Sequence, residues 1–289
     1  MLNLLISQLF HLINLSIGGF FMFKAFYGLS MDPFLKDLEI KDHFKSEDFT
    51  QALYRLEFLK NTKGFGLLTG EPGLGKSFIL RYFTSTLNPN LFKCIYIPIS
   101  TLTVMDFYRA LCNGLGIIPA HKKVEMFKQI QEAIFNYHQS KNITPVIIVD
   151  EAHFLKNSVL DDLRIIFNFD MDSKDYAILI LAGQLPFITQ LSRQPHEALR
   201  QRIVMNYCFK GLTKEETKSY ILSRLKLADC HEPIFTDSAF ELLFSSTNGC
   251  LRSLNLLARM CLISGATEKL KSIDSEVVFQ AQTELNITA

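Results

Sequence analysis

The chain contains 289 residues, 48% of them hydrophobic, and has a formal net charge of +1. This length can bury one large core and a smaller one. The balanced charge excludes an overall basic field for nucleic acid, so any DNA contact requires a local patch. The six cysteines lack C-x-x-C spacing, which favours reduced thiols in a cytoplasmic protein over a disulfide framework or a zinc site. They are Cys94, Cys112, Cys208, Cys230, Cys250 and Cys261.

The first segment, MLNLLISQLFHLINLSIGGFFMF, has no charged residue before Lys24, a pattern compatible with a membrane anchor. Polar residues interrupt the apolar run and no basic stretch precedes it, which disfavours membrane association. Residues 18–22 can also be encoded as GGA GGT TTT TTT ATG, a ribosome-binding sequence at natural spacing before a start codon. We therefore expect residues 1–21 to be a non-native extension and translation to begin at Met22; a membrane anchor is the alternative.

Residues 69–77, TGEPGLGKS, fit the phosphate-loop pattern G-x-x-x-x-G-K-[ST]. The glycines let backbone N–H groups turn inward around a β-phosphate, where a Cβ atom would collide. Lys76 is expected to reach the β- and γ-phosphates of ATP, and the Ser77 hydroxyl is expected to ligate Mg²⁺. A glycine-rich turn that fits the pattern by chance is the alternative.

The sequences on either side of this loop strengthen the prediction. GFGLLT before the loop is typical of a short buried strand, and SFILRYFTSTL after it has apolar residues at helical spacing. This order of strand, loop and helix points a helix N-terminus at an anion. The predicted nucleotide-binding residues are Gly70, Glu71, Pro72, Gly73, Leu74, Gly75, Lys76, Ser77 and Phe78.

A second motif, TPVIIVDEAH at residues 144–153, is an apolar run followed by two carboxylates. An all-apolar strand is typical of the buried centre of a parallel sheet. We expect Asp150 to hold Mg²⁺ through water and Glu151 to orient or deprotonate the attacking water. Together with the phosphate loop, the motif predicts an ATPase of the additional-strand type. His153 is expected to be a packing or hydrogen-bonding neighbour.

Polar residues flank the next two predicted strands. Gln184 ends YAILILAGQ, where it can lie between Glu151 and the γ-phosphate, the position called sensor 1; a glutamine in a solvated turn is the alternative. Arg200 and Arg202 lie at the end of a helix before a fifth strand, where an arginine can face the nucleotide of a neighbouring subunit. Arg202 is the favoured arginine finger and Arg200 the alternative, and one of the pair can instead form a salt bridge.

From Gly211 onwards the pattern is helical only. Thr213 and Glu216 form a capping box at the start of TKEETKSYILSRLKLA. In NGCLRSLN, Gly249 ends one predicted helix and Arg252 begins the next, where the arginine can touch the γ-phosphate as sensor 2; a surface arginine is the alternative. The predicted divisions are an N-terminal segment (22–60), a nucleotide-binding core (61–210) and a helical lid (211–289).

In this order, the phosphate loop, VIIVDEAH, LAGQ, ALRQRI and GCLRSLN resemble an AAA+ ATPase, and more narrowly the ExeA group and the transposition helper ATPases of the TnsC type. FYGLSMDPF at residues 26–34 is similar to that group's F-G-L-x-x-x-P-F start. The resemblance covers Met22 to about Thr283. It implies an α/β P-loop NTPase fold with a five-stranded parallel sheet and a C-terminal all-helical lid.

Two positions depart from the pattern of this group. Ser77 replaces the more frequent threonine, and Cys250-Leu251 stands in place of a small residue and proline. Neither departure removes a chemical group that the mechanism needs.

Within this group two functions compete. ExeA-type secretion ATPases carry a transmembrane segment and a peptidoglycan-binding module after the lid, and from the chain's end at Ala289 we expect a stand-alone transposition helper instead. The resemblance implies that such helpers assemble with ATP on double-stranded DNA as a ring or helical filament, recruit a DDE-type transposase and disassemble on hydrolysis. A nucleotide-dependent scaffold with little turnover is disfavoured because Glu151 is present.

A DNA contact has the weakest signal in the sequence. AHKKVEMFKQ carries Lys122, Lys123 and Lys128 after the second predicted strand, in a region that faces the central channel of ring or spiral AAA+ assemblies. A basic stripe there can follow a phosphate backbone without reading bases. A solvated helix face is the alternative.

Overall fold

The computed structural model describes residues 23–35, 42–98 and 102–285. The described residues divide into two compact units: Glu47–Lys210 is an α/β unit, and residues 23–35, 42–46 and 211–285 form a helical unit. Residues 47–60 therefore belong to the α/β unit and not to the predicted N-terminal segment. The predicted non-native extension, residues 1–21, and the proposed start at Met22 lie outside the described residues.

The α/β unit contains the five-stranded parallel sheet that the sequence predicted. Its strands are β1 (Gly64–Thr69), β2 (Phe92–Ile97), β3 (Thr144–Val149), β4 (Ile178–Gly183) and β5 (Ile203–Cys208). Their spatial order is β2-β3-β4-β1-β5, and every neighbouring pair is parallel. The carboxyl ends of all five strands consequently meet at one edge of the sheet, where ligands bind in open parallel sheets.

Helices connect these strands. In the described part of the unit they are α1 (Glu47–Thr62), α2 (Lys76–Thr86), α3 (Val104–Leu115), α4 (Lys123–Lys141), α5 (Asn157–Ile166), α6 (Pro186–Leu191) and α7 (Glu197–Arg200). Short 3₁₀ turns lie at Ala152–Phe154, Asp170–Asp172 and Gln194–His196. Because two parallel strands cannot be joined by a tight hairpin, each strand needs such a crossover before the next.

The three central strands explain the apolar runs of the sequence. Every residue of β1, β3 and β4 is buried, so both faces of the sheet are covered. Leu67, Ile147 and Leu179, one from each of these strands, share a core with Leu111 of α3 and Ile130 of α4. The edge strands β2 and β5 instead retain exposed residues.

The helical unit contains α8 (Lys214–Leu227), α9 (Asp237–Thr247), α10 (Leu251–Thr267) and α11 (Ser275–Leu285). α8 begins with the predicted capping box: the Thr213 hydroxyl accepts from the Glu216 N–H, and the Glu216 carboxylate accepts from the Thr213 N–H. Gly249 follows α9 with a φ of 71°, and an added Cβ would collide with the Leu212 backbone. Glycine is therefore required at this turn.

The FYGLSMDPF segment is a structural part of the helical unit. Phe34 at its end is buried in the core of that unit, together with Phe23 just before it. The Tyr27 hydroxyl donates to the Leu270 carbonyl at 2.8 Å, and Asp32 forms an ion pair with Arg259 at 2.7 Å. These contacts join the FYGLSMDPF segment to residues 259–270 within one unit.

No helix in the described ranges is both long enough and apolar enough to span a membrane. All six cysteines lie within these ranges, and none is in a disulfide.

Candidate nucleotide-binding site

The phosphate loop connects β1 to α2, as predicted. Gly70, Gly73 and Gly75 have φ values of 151°, 86° and 100°, which residues with a side chain rarely adopt. At Gly70 the space is also restricted, because an added Cβ would lie 2.9 Å from the Phe209 Cβ atom. Conformation and space together explain why the sequence has glycine here.

The first turn of α2 is arranged to receive an anion. Gly75 is the N-cap of the helix, and no side chain caps the turn. The backbone N–H groups of a first helical turn point along the helix axis, and the positive end of the helix favours a negatively charged acceptor there. Lys76, the first residue of α2, is only 7% exposed, and its ammonium donates to the Gly70 and Glu71 carbonyls at 2.7 and 2.8 Å. The phosphate loop thus holds the Lys76 ammonium beside the first turn of α2.

The structure brings Ser77 and Asp150 together although 73 positions separate them in the chain. The Ser77 hydroxyl donates to Asp150 Oδ2 at 3.0 Å, and the Glu151 N–H donates to Asp150 Oδ1 at 2.9 Å. A hydroxyl and a carboxylate are the hard oxygen ligands that Mg²⁺ prefers, usually with substrate phosphates and waters. The described residues contain no group of three or more metal-binding side chains, so a metal would depend on the phosphates for further ligands. This donor set fits Mg²⁺ bound together with a nucleotide.

Tyr96 is a site residue that the sequence analysis missed. It lies on β2, and its hydroxyl donates to Asp150 Oδ2 at 2.9 Å. The pKa of Tyr96 is raised to about 12. Desolvation of the hydroxyl is the larger cause, and its hydrogen bond to Asp150 is the second. The hydroxyl is thus a hydrogen-bond donor to the carboxylate at neutral pH.

Glu151 is oriented by its backbone and by His153. It has a φ of 53° and starts the 3₁₀ turn after β3, with its carboxylate half-exposed. His153 Nδ1 lies 3.4 Å from Glu151 Oε2 and also 3.4 Å from the Gln184 backbone nitrogen. A ring without a hydrogen on Nδ1 accepts from the Gln184 N–H, whereas a ring with a hydrogen on Nδ1 donates to Glu151, so the hydrogen on Nδ1 decides which contact forms. His153 is thus the hydrogen-bonding neighbour that the sequence predicted.

Gln184 follows β4, the strand between β3 and β1. This order places its backbone at the edge of the sheet between the strand that ends at Glu151 and the strand that ends at the phosphate loop. The side chain is half-buried, and the Gln184 carbonyl accepts from the Phe187 N–H at 3.0 Å. The position agrees with the predicted one; its role as sensor 1 stays a prediction.

The two candidate finger arginines differ in their surroundings. Arg202 is half-buried, and its guanidinium donates to the Arg164 carbonyl at 2.9 Å. It lines a cavity of about 530 Å³ together with Arg164, Asn168 and Gln201. Arg200 is exposed and donates to the Ser192 carbonyl at 3.4 Å, a weaker contact.

The remaining predicted residues belong to elements other than those that form this cluster. Lys123 pairs with the buried Asp162 at 2.7 Å, so its charge already has a structural partner. Lys122 is 80% exposed and Lys128 is also exposed. Arg252 is an exposed residue in the first turn of α10, in the helical unit. The DNA-binding and sensor 2 roles of these residues stay predictions.

A glycine loop between a strand and a helix, with a buried aspartate next to the loop serine, defines a P-loop NTPase site. The five-stranded parallel sheet followed by a helical C-terminal region is the fold of AAA+ proteins.

Comparison with known proteins agrees with this class. Residues 59–191 match the family model described as "AAA domain". General secretion pathway protein A of Aeromonas hydrophila is 33% identical over 249 residues, which are 84% of this chain and 45% of that protein. The chain therefore spans less than half the length of this curated relative.

Two solved structures share the fold. Cdc6p of Pyrobaculum aerophilum has a TM-score of 0.67 at 15% identity, over 89% of this chain and 72% of that one. A chain of the Drosophila ORC bound to DNA has a TM-score of 0.69 at 16% identity, over 93% of this chain and 67% of that one. The chain is thus similar to AAA proteins in sequence and shares their fold, and an ATPase activity and the narrower TnsC-type assignment are left as proposals.

Proposed function

We propose that this protein binds ATP with Mg²⁺ and hydrolyses it. The observation that carries the proposal is the contact of Ser77 with Asp150 beside the phosphate loop, with Glu151 next in the chain. When bound, Mg²⁺ would neutralise charge on the β- and γ-phosphates.

The residues of the site have distinct roles in this proposal. Lys76 would exchange the Gly70 and Glu71 carbonyls for phosphate oxygens, because an anion is a stronger partner for an ammonium than a carbonyl is. Glu151 would orient the attacking water and accept its proton, and Gln184 would hold that water from the tip of β4.

The active site is proposed to be complete only between subunits. Arg202 would reach the γ-phosphate held by a neighbouring copy, in a ring or helical filament, where it would stabilise charge that develops during hydrolysis. Its half-buried position and its bond to the Arg164 carbonyl support this choice, because an anchored guanidinium loses less freedom when it binds.

The finer proposal is a DNA-associated helper ATPase of a transposable element, which recruits a DDE-type transposase in the cytoplasm. It rests on the sequence resemblance to the TnsC type and on the exposed Lys122 and Lys128, because solvent-exposed lysines can contact phosphates. Lys122 also lies 3.9 Å from Glu125, a long ion pair between exposed side chains that a phosphate can replace. A second candidate, a secretion-pathway ATPase, is favoured by the 33% identity to General secretion pathway protein A.

Phosphate release with and without double-stranded DNA tests these proposals. We expect ATP hydrolysis that DNA stimulates and that Lys76→Ala abolishes. Hydrolysis unaffected by DNA, with no ATP-dependent sedimentation on DNA, would favour the secretion candidate. No hydrolysis under either condition would contradict the ATPase itself and leave a nucleotide-dependent scaffold.

A further inference from the structure

Tyr96 reaches the metal-binding carboxylate from a neighbouring strand. In the register of β2 and β3, Tyr96 lies opposite Ile148, two residues before Asp150. Because side chains two residues apart point to the same face of a strand, Tyr96 and Asp150 share one face. The length of the tyrosine side chain then carries its hydroxyl to Asp150 Oδ2, at 2.9 Å.

The carboxylate of Asp150 is held by three donors. Oδ2 accepts from the hydroxyls of Ser77 and Tyr96, and Oδ1 accepts from the Glu151 N–H. Asp150 is only 5% exposed, so its charge depends on these donors in place of water. Removing one of them leaves the carboxylate less restrained in orientation and less well stabilised.

The three donors are not equivalent once a metal is present. The Ser77 oxygen is itself a proposed metal ligand, and the Glu151 N–H is fixed by the backbone of the turn. Among these three described donors, the Tyr96 hydroxyl is the one that comes from a side chain outside both the phosphate loop and the proposed base. Side chains of this kind orient metal ligands in many sites, and their loss typically lowers metal affinity about 10- to 100-fold.

We propose that Tyr96 is a positioning residue that orients Asp150 for Mg²⁺ and so sets how much the metal strengthens nucleotide binding. This inference rests on the proposed nucleotide site but goes beyond it, since a P-loop site does not require a tyrosine on this strand.

The test compares Tyr96→Phe with the wild-type protein for binding of the fluorescent nucleotide mant-ADP, in excess Mg²⁺ and in EDTA. Phenylalanine keeps the ring and removes only the hydroxyl. In EDTA, Tyr96→Phe should bind mant-ADP with the same affinity as the wild-type protein. The factor by which Mg²⁺ increases mant-ADP affinity should be smaller in Tyr96→Phe than in the wild-type protein, by about tenfold or more. Tyr54→Phe is the matched control, because Tyr54 is 73% exposed on α1, and it should keep the wild-type gain. Mn²⁺ binding in the presence of ADP, followed by electron paramagnetic resonance, should weaken in Tyr96→Phe by a similar factor.

Three results would contradict the inference. If Mg²⁺ increases the mant-ADP affinity of Tyr96→Phe as much as that of the wild-type protein, the hydroxyl does not position Asp150. If Tyr96→Phe loses the same mant-ADP affinity in Mg²⁺ and in EDTA, the tyrosine supports the fold and not the metal site. If the wild-type protein binds mant-ADP without any gain from Mg²⁺, the proposed metal site itself is wrong, a failure distinct from the other two.

Discussion

At the scale of single residues, the phosphate loop depends on backbone conformations that only glycine adopts easily. Gly70 combines a φ of 151° with close contact to Phe209. We expect Gly70→Ala to lower the free energy of unfolding by roughly 1 kcal/mol or more and to displace the loop. Nucleotide binding should consequently weaken severely, as measured by mant-ADP fluorescence alongside denaturant unfolding.

Gly116 provides a matched control for this substitution. It also has a positive φ, 81°, but an added Cβ would meet no atom within 4 Å. Gly116→Ala should therefore cost roughly 1 kcal/mol of stability while nucleotide affinity is retained. If both variants bind nucleotide normally, the loop tolerates a side chain and the reasoning about Gly70 is wrong.

At the scale of secondary-structure elements, α1 is anchored to the edge strand β5 through a buried charge. Asp48 is buried and accepts from the Tyr207 hydroxyl at 2.7 Å and from the Lys210 N–H at 2.9 Å. The guanidinium of Arg55 lies 4.8 Å from the centre of the Tyr207 ring. These contacts explain why α1 belongs to the α/β unit and not to the segment that precedes it.

Removing this charge should destabilise the α/β unit. We expect Asp48→Ala to cost about 2 to 3 kcal/mol, because the partly buried Tyr207 hydroxyl and the Lys210 N–H both lose a charged acceptor. Tyr207→Phe should cost about 1 kcal/mol, since the carboxylate keeps the Lys210 N–H. Urea denaturation of the two variants and the wild-type protein measures both changes in the free energy of unfolding. Equal stability of Asp48→Ala and the wild-type protein would show that α1 does not depend on this contact.

The elements also show what could be predicted from the sequence. β1, β3 and β4 were predictable because strands buried on both faces have continuous apolar runs, and the loop and carboxylate motifs mark their ends. The role of Tyr96 was not predictable, because it depends on the register between β2 and β3. No motif within β2 encodes that register. The contact of Tyr27 with Leu270 was equally hidden, since it joins residues 243 positions apart.

At the scale of the whole molecule, the proposal of a shared active site predicts complementation between inactive variants. Arg202→Ala should bind ATP through its own Lys76 but lose most hydrolysis, by about 10³-fold if Arg202 is an arginine finger. Mixed with Lys76→Ala, it should regain part of the turnover, because an intact Lys76 site meets an intact Arg202. Phosphate release across mixing ratios measures this effect.

Arg200→Ala is the control for the choice between the two arginines and should keep most of the activity. Activity per molecule of the wild-type protein should also rise with protein concentration. If dilution leaves specific activity unchanged and mixing restores nothing, the site is complete within one chain.

The most direct test of the account is ATP turnover by Glu151→Gln at saturating nucleotide and Mg²⁺. Because Ser77, Asp150 and Lys76 remain, this variant should bind ATP like the wild-type protein, while turnover falls about 100-fold or more with the loss of the general base. Normal binding with stalled hydrolysis is the predicted result. Turnover at the wild-type rate would contradict the assignment of Glu151 and, with it, the proposed mechanism of ATP hydrolysis.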